Sequence, residues 1–417
     1  MAIRPVVMVA DENARIFAES TASGKVESEG PTLHATKEMR RLATPWNVSI
    51  ARADLVASGD LPPGIILDPA CGSGMQLSAF CTKLKRPGLG IELSGAIAPL
   101  ASVNLARTAE WAQGDWGASS CILWGNGVDS AQIISAYRNH VGENQPIALL
   151  HVDPARPTDA QNHTLDEMQP RLDELLHAWA PHLSKNPGLI VDLSPRLSNH
   201  QRAEVEAIVS DVWPNVSTTW QWMTQGRGRI DRLSLWIGSV SSKDSHRLLR
   251  LSSEGHVTII SGTSSTSPLA NSVSVEIGSY LTIVDPSLIA SGLALSWREL
   301  ATVKGSSDWA ETTGRRPTMI SEQKLSSDSL VQEFIQVSGQ ILESTDDVSI
   351  ESVENLAERA NLAELTSLKI RCSIPPEVQP KLQSSLDRLM KNLREGEDDN
   401  PGFIAQLKDM YFLCSIS

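Results

Sequence analysis

The 417-residue chain carries 36 Lys and Arg against 49 Asp and Glu, for a formal net charge of -13, and 41% of its residues are hydrophobic. This composition fits a soluble globular chain long enough for two or three domains, and it excludes a disordered polyelectrolyte. Cys71, Cys81, Cys121, Cys372 and Cys414 form no CxxC pair, which argues against a disulfide framework or a metal site and for a reducing, cytoplasmic setting.

In chain order, the apolar run Val6 to Ala10 is stopped by Asp11 and Glu12, too early for a leader, and no later run approaches a membrane span. Within residues 1–60, Thr36 to Arg41 and Val48 to Val56 read as helices separated by Pro45, an N-terminal helical cap for the sheet that follows. From residue 61 to 240 strand-like and helix-like segments alternate, the pattern of an α/β, Rossmann-like parallel sheet. Its first strand is Ile65-Ile66-Leu67, which breaks into Asp68-Pro69-Ala70-Cys71-Gly72-Ser73-Gly74 before a helix over Met75 to Lys83. Gly72 and Gly74 therefore fall at a strand-to-helix turn, where glycine permits positive φ and lets a ligand touch the backbone. A dinucleotide fingerprint would place a third glycine where Leu77 stands, which disfavours nicotinamide and flavin cofactors.

Asp68, ending that strand, suits a ligand with an ammonium group, such as the methionine end of S-adenosylmethionine (SAM). About 24 residues later Leu89-Gly90-Ile91-Glu92 is a second short strand ending in an acid, near the spacing at which a carboxylate accepts hydrogen bonds from a ribose diol. Cys121 to Trp124 reads as a strand leading into Gly125 to Asp129. Asp129, or else Asn126, is placed to bond an adenine amine beside Trp124 or Ile122, although an ordinary turn at Asn126-Gly127 explains that segment equally well. The apolar run Pro146 to Val152 delivers Asp153-Pro154-Ala155-Arg156 to the same sheet edge, while His151, alternating to the other side, reads as a packed histidine. Leu165 to Trp179 has the apolar stripe of one helix. The strand Leu189 to Leu193 leads into Ser194-Pro195-Arg196 without a cysteine, which disfavours carbon-5 methylation of a pyrimidine. Ser217 to Met223 and Arg232 to Ile237 read as an antiparallel pair whose Trp220, Trp222 and Trp236 fill a core or stack on a base.

Residues 241–417 have a different texture, an α+β region with serine-rich breaks. Strands are expected at Val257 to Ile260 and Leu368 to Cys372, and helices over Pro286 to Leu295, Leu330 to Ile341 and Val378 to Leu393. Arg394 to Asn400 reads as a charged loop, and Ile404 to Ser415 as the close of a sheet.

On the Asp68 to Gly74 spelling, with Glu92 and Asp153 to Arg156, the chain resembles the class I SAM-dependent methyltransferases, especially those that methylate amino groups of nucleic acids. The Asp153 to Arg156 motif, the Trp222 to Trp236 hairpin, Tyr280-Leu281 with Asp285 to Leu293, Leu368-Lys369-Ile370-Arg371 and Pro375-Pro376-Glu377-Val378 are further similar to prokaryotic methyltransferases with a THUMP-like C-terminal domain. The resemblance implies SAM as cofactor, held by Asp68, Pro69, Ala70, Cys71, Gly72, Gly74, Glu92 and Asp129. It also implies catalysis by Asp153, Pro154 and Arg156 on a tRNA or rRNA base. Ala155 and Arg156 depart from the usual proline and aromatic at the fourth motif, so Arg156 would replace the stacking ring. This departure also admits a SAM-binding protein without turnover. The charge pulls another way: residues 251–417 hold 13 basic and 23 acidic side chains, which suits a small-molecule or protein substrate. An RNA would need a local patch, and Arg227-Gly228-Arg229-Ile230-Asp231-Arg232 and Arg315-Arg316 are the candidates.

Overall fold

The computed structural model describes residues 4–21, 24–26, 30–37, 39, 44–143, 145–154, 164–226, 228–265, 268, 270, 274–393 and 399–416. They form two compact units, one of Met1–Trp222, Asp231–Ser245 and Ser253–Val257, the other of Met223–Ile230, His246–Ser252 and Thr258–Ser417. Among the described residues no helix is long and apolar enough to cross a membrane.

The first unit is built on strands β1 (Val6–Met8), β4 (Ile65–Asp68), β5 (Gly88–Glu92), β6 (Cys121–Trp124), β7 (Ile147–Val152), β8 (Gly188–Leu193), most of β9 (Thr218–Thr224), and β10 (Arg232–Gly238); β2 (Gly24–Val26) and β3 (Thr32–His34) form a separate hairpin. The sheet order is β1-β6-β5-β4-β7-β8-β10-β9. Strands β4 to β8 run parallel, and β1 and β10 are antiparallel to their neighbours β6 and β8. From β4 the chain moves outward through β5 and β6, then returns to place β7 on the other side. That reversal opens a crevice beyond the carboxyl end of β4, where α/β sheets bind ligands.

The helices are α1 (Glu12–Thr21), α2 (Trp46–Ala57), α3 (Met75–Leu84), α4 (Ala98–Ala112), α5 (Ser130–Val141), α6 (Leu172–Trp179) and α7 (Asn199–Val212). Ile65, Ile66 and Leu67 are fully buried, as a strand covered on both faces requires. Leu77 and Phe80 of α3 pack with Trp46 of α2, Trp116, Ile190 and Trp236 into one core. Trp220 and Trp222 are buried too, with the Arg202 guanidinium over both rings, so these tryptophans pack rather than face a ligand.

Two sequence expectations change here. The N-terminal region supplies more than helices, because Val6–Met8 pairs along β6 as an edge strand and a hairpin follows α1. Of the expected Thr36 to Arg41 helix, Glu38, Arg40 and Arg41 lie outside the described residues, and Lys37 and Met39 are helical. The expected Leu165 to Trp179 helix is two pieces, a single 3-10 turn at Leu165–Glu167 and then α6. Pro170 disfavours helical backbone at Gln169, so the helix restarts only at Leu172.

The second unit contains β11 (His246–Leu251), most of β12 (Val257–Gly262) and a seven-stranded sheet of β13 (Tyr280–Val284), β14 (Ser307–Glu311), β15 (Thr318–Ser321), β16 (Ile335–Thr345), β17 (Ser367–Arg371), β18 (Pro401–Leu407) and β19 (Met410–Ile416), in the order β14-β15-β13-β16-β19-β18-β17. Its helices are α8 (Ser287–Ala290), α9 (Ala294–Ala301), α10 (Ser329–Gln332), α11 (Val353–Leu362) and α12 (Gln379–Leu393). One face packs Leu356 of α11 and Leu382 and Leu386 of α12 on Ile404 and Leu413; the other encloses Leu281, Ile283, Phe403 and Phe412.

The expected helix over Leu330 to Ile341 is instead the one-turn α10 followed by β16. Val337, Gly339 and Ile341 are buried while Ser338, Gln340 and Leu342 are less so, a period of two. The expected Pro286 to Leu295 helix is divided into α8 and α9 by Gly292, whose φ of 72° takes the chain out of helical geometry. Residues 394–398 of the expected charged loop lie outside the described residues. At Gly339 a Cβ would sit 1.7 Å from the Ser415 carbonyl oxygen of β19. Gly339→Ala should therefore destabilise the second unit by about 1–3 kcal/mol, the usual cost of overpacking. Urea denaturation followed by tryptophan fluorescence would measure it, and an unchanged midpoint would contradict the close packing of β16 on β19.

Candidate functional site

Asp68, Glu92 and Asp153 come from the carboxyl ends of β4, β5 and β7, around the crevice. The loop between β4 and α3 is held from within. Asp68 Oδ1 accepts a hydrogen bond from the Ala70 amide at 3.1 Å, the Cys71 amide donates to the Ile91 carbonyl at 2.9 Å, and the Gly74 amide donates to the Cys71 carbonyl at 2.8 Å. Gly72 and Gly74 have φ of 52° and 74°, the left-handed region expected of this turn. A Cβ on Gly72 would meet nothing within 4 Å, so the backbone there faces open space, as a cradle for a ligand must. Pro69 is buried beneath the loop.

Glu92 is half-buried, and its carboxylate accepts amide hydrogen bonds from Ser94, at 2.7 Å, and from Gly72. Burial raises its pKa above the usual carboxylate range. Cys71 is packed under the loop, since a Cβ on Gly90 would lie 2.9 Å from its sulfur. Burial, then Asp68 and Glu92, push that thiol far up, so it is no nucleophile at neutral pH. Asp129 starts α5, is half-buried and makes no capping bond. The preceding turn is pressed onto the glycine loop, because a Cβ on Gly127 would lie 2.0 Å from the Pro69 carbonyl oxygen. Trp179 Nε1 donates to the Gly127 carbonyl at 2.8 Å. Asn126-Gly127 is therefore both a turn and a wall of the crevice.

Behind the crevice runs a buried chain of charges that sequence reasoning missed. Asp68 Oδ2 meets His151 Nδ1 at 2.8 Å, and His151 Nε2 meets Asp192 Oδ2 at 3.2 Å. Asp192 is gripped at both oxygens by Arg52, at 2.5 and 2.8 Å, and Arg52 also donates to Gln76 Oε1 at 2.9 Å. All of these side chains are buried. Desolvation works against the His151 cation, but Asp68 and Asp192 outweigh it and raise the imidazole to about 9. Desolvation likewise opposes the Asp192 charge, yet Arg52 and His151 hold that carboxyl below its usual range. A signal for Arg52 existed, because it stands between Val48 and Val56 at helical spacing on a buried face. Asp192 stands one residue before the end of β8, near the edge where Asp68 and Glu92 end their strands.

Asp153 is half-buried just past β7, and burial, then Asp192, raise its pKa, against the pull of Arg232, His151 and Arg52. Pro154 is buried. Ala155 and Arg156 lie outside the described residues. Among the described residues no group of three His, Cys, Asp or Glu is arranged to hold a metal ion.

No family model and no curated protein matches this chain. Among solved structures, a candidate methyltransferase from Porphyromonas gingivalis W83 is similar over 92% of this chain and 83% of its own, at 13% identity and a TM-score of 0.59. The chain has a methyltransferase-type Rossmann-like fold. At that identity the likeness speaks to the fold alone. A candidate class I SAM-dependent methyltransferase from Listeria monocytogenes (14% identity, 48% of this chain and 61% of its own, TM-score 0.32) and an rRNA methyltransferase from Streptomyces viridochromogenes (16%, 50% and 89%, 0.32) fit too partially to add to it. In this methyltransferase-type sheet the glycine loop and the three strand-end acids ring the switch point.

Two outcomes follow from the charge chain. Arg52→Leu leaves Asp192 with one partner in the interior and should cost about 3–5 kcal/mol of stability, as breaking a buried pair does; a denaturant midpoint close to wild type would contradict this. Because His151 is raised from 6.5 to about 9 on folding, its contribution is complete below about pH 6.5 and fades as pH climbs through about 9. The melting temperature should fall across that window, and His151→Gln should flatten the fall.

Proposed function

We propose that this protein is a SAM-dependent methyltransferase that modifies a base in tRNA or rRNA. The open face of Gly72, flanked by Asp68 and Glu92 with Asp153 across the switch point, is the observation that carries the reading. Bound there, SAM supplies an electrophilic methyl group for in-line displacement. Glu92 would accept hydrogen bonds from the ribose hydroxyls, and the backbone from Pro69 to Gly74 would hold the remainder of the cofactor. Asp68 braces the loop through Ala70 and His151, and its remaining lone pairs receive the methionine ammonium. Asp129 takes the adenine amine.

On the acceptor side Asp153 orients the attacking group and takes its proton, a task suited to a carboxylate whose proton affinity is raised. Pro154 shapes the turn, and Arg156 stacks on the base or clamps a phosphate. The rest of the work is alignment and exclusion of water.

An RNA substrate is supported by arginines of the second unit. The Gly228 turn lies against the Arg315 carbonyl, 3.8 Å from where a Cβ would stand. Burial and the like charges of Arg371 and Arg315 depress the Arg316 pKa, so these three cations lie together in a segment otherwise rich in acid. The opposing reading, a small-molecule or protein substrate, is favoured by the net charge of -13.

Transfer of tritium from labelled SAM into RNA, protein and small-molecule fractions of cells lacking the gene separates these readings. Label in one RNA nucleoside is expected; label only elsewhere would remove RNA as the substrate. Glu92→Ala should abolish SAM binding, whereas Asp153→Ala should keep it and lose turnover, and unchanged turnover would reject Asp153 as the base. The Arg315→Glu, Arg316→Glu double variant should weaken RNA binding across sequences and reduce the salt slope of log K by about two.

A further inference from the structure

His151 is the buried member of the charge chain that joins its two carboxylates, Asp68 and Asp192. Register puts Asp68 beside it, since β4 and β7 pair Leu67 with Leu150, and β7 and β8 pair His151 with Ile190 and Val152 with Val191. That last pair is followed in the chain by Asp153 on one side and Asp192 on the other, and the Asp192 charge acts on Asp153. Asp153 follows β7 by one residue and His151 by two, so strand alternation carries both to one side, which corrects the sequence expectation that His151 turns to the other. Both ring nitrogens of His151 approach carboxylates, at 2.8 and 3.2 Å, and a carboxylate only accepts, so the ring donates twice and is an imidazolium.

We propose that His151 is a positioning residue: clamped between Asp68 and Asp192, it shares the charge that Asp192 turns on Asp153 and so fixes how readily Asp153 takes the acceptor's proton. The inference rests on Asp153 being the base. The groups facing His151 are Asp68 from β4, Asp192 from β8 and the ring of Phe80 from α3, whose centroid is 5.5 Å away; Arg52 from α2 and Arg232 from β10 act, with His151, on Asp153. In the transfer the acceptor N–H proton ends on Asp153 as the N–CH3 bond forms and the S–CH3 bond breaks, and His151 keeps its own two protons throughout. Without the imidazolium, Asp192 is paired by Arg52 alone and repels a charged Asp153 more strongly. Asp153 then holds its proton to higher pH and is available as a base only there.

The test is a carboxyl carbon-13 titration of the full chain labelled at aspartate, with Asp153 assigned by its loss in Asp153→Asn. In His151→Gln the Asp153 titration should move up by about one pH unit, a tenfold gain in proton affinity, and the acid limb of turnover should move with it. Asp192→Asn should move the titration down. A folded His151→Gln protein with an unmoved Asp153 titration would overturn the proposal even if activity fell, since that result describes a purely structural histidine. Nitrogen-15 spectra of the wild-type imidazole depend on no variant: both nitrogens should be protonated at pH 7.5, and a neutral ring would overturn the proposal. If instead Asp153→Asn keeps full turnover, the base reading fails, and the titration still reports whether His151 and Asp153 are coupled.

Discussion

Two carboxylates cannot share a dry interior without a cation between them, and the first unit resolves this at the carboxyl edge of its sheet with His151 and Arg52. The resulting line from Arg52 through Asp192 and His151 to Asp68 crosses three neighbouring strands and one helix. Ionised groups placed there would be costly alone, but each is paired and hydrogen-bonded, which is the condition under which buried charge is tolerated. Helix α2 is thereby fixed to the sheet by charge as well as by Trp46 and Val56 in the core. Asp68, at the end of the line, holds Ala70 and hence the first turn of the glycine loop.

The loop's shape and the acids' placement are then two consequences of one arrangement. The switch of direction at β4 leaves space beyond its carboxyl end. Gly72 leaves that space unfilled, Gly127 lets a second turn close against Pro69, and Gly90 leaves room for Cys71 beneath. Glycine serves here through close approach as well as through positive φ. The crevice is lined by acids whose environments differ. Desolvation and Asp192 lift Asp153, while the charge chain holds Asp192 down. That separation is what acid–base roles at neutral pH require.

Much of this was legible in the sequence because it is local. An apolar triplet ending in Asp68 and followed by two glycines specifies strand, turn and helix within ten residues, and Glu92 and Asp153 repeat the strand-ending acid. What escaped was tertiary. Arg52 and Asp192 are 140 residues apart, and His151 read as a packed side chain until its two carboxylate partners were in place. Leu330 to Ile341 was misread for a related reason. Its apolar residues satisfy both a helical and an alternating pattern, and only pairing with β13 and β19 selects the strand. Gly292 and Pro170 each divided an expected helix through backbone geometry, which outweighs a favourable apolar stripe.

The central claim is that the crevice at the switch point is a SAM site. Calorimetric titration of S-adenosylhomocysteine, the product form of the cofactor, into the full chain tests it most directly, with Gly72→Val as the control that fills the cradle. Saturable binding at one site per chain, lost in the variant, is the predicted result. No heat of binding in the folded wild-type protein, or equal binding by Gly72→Val, would contradict the account.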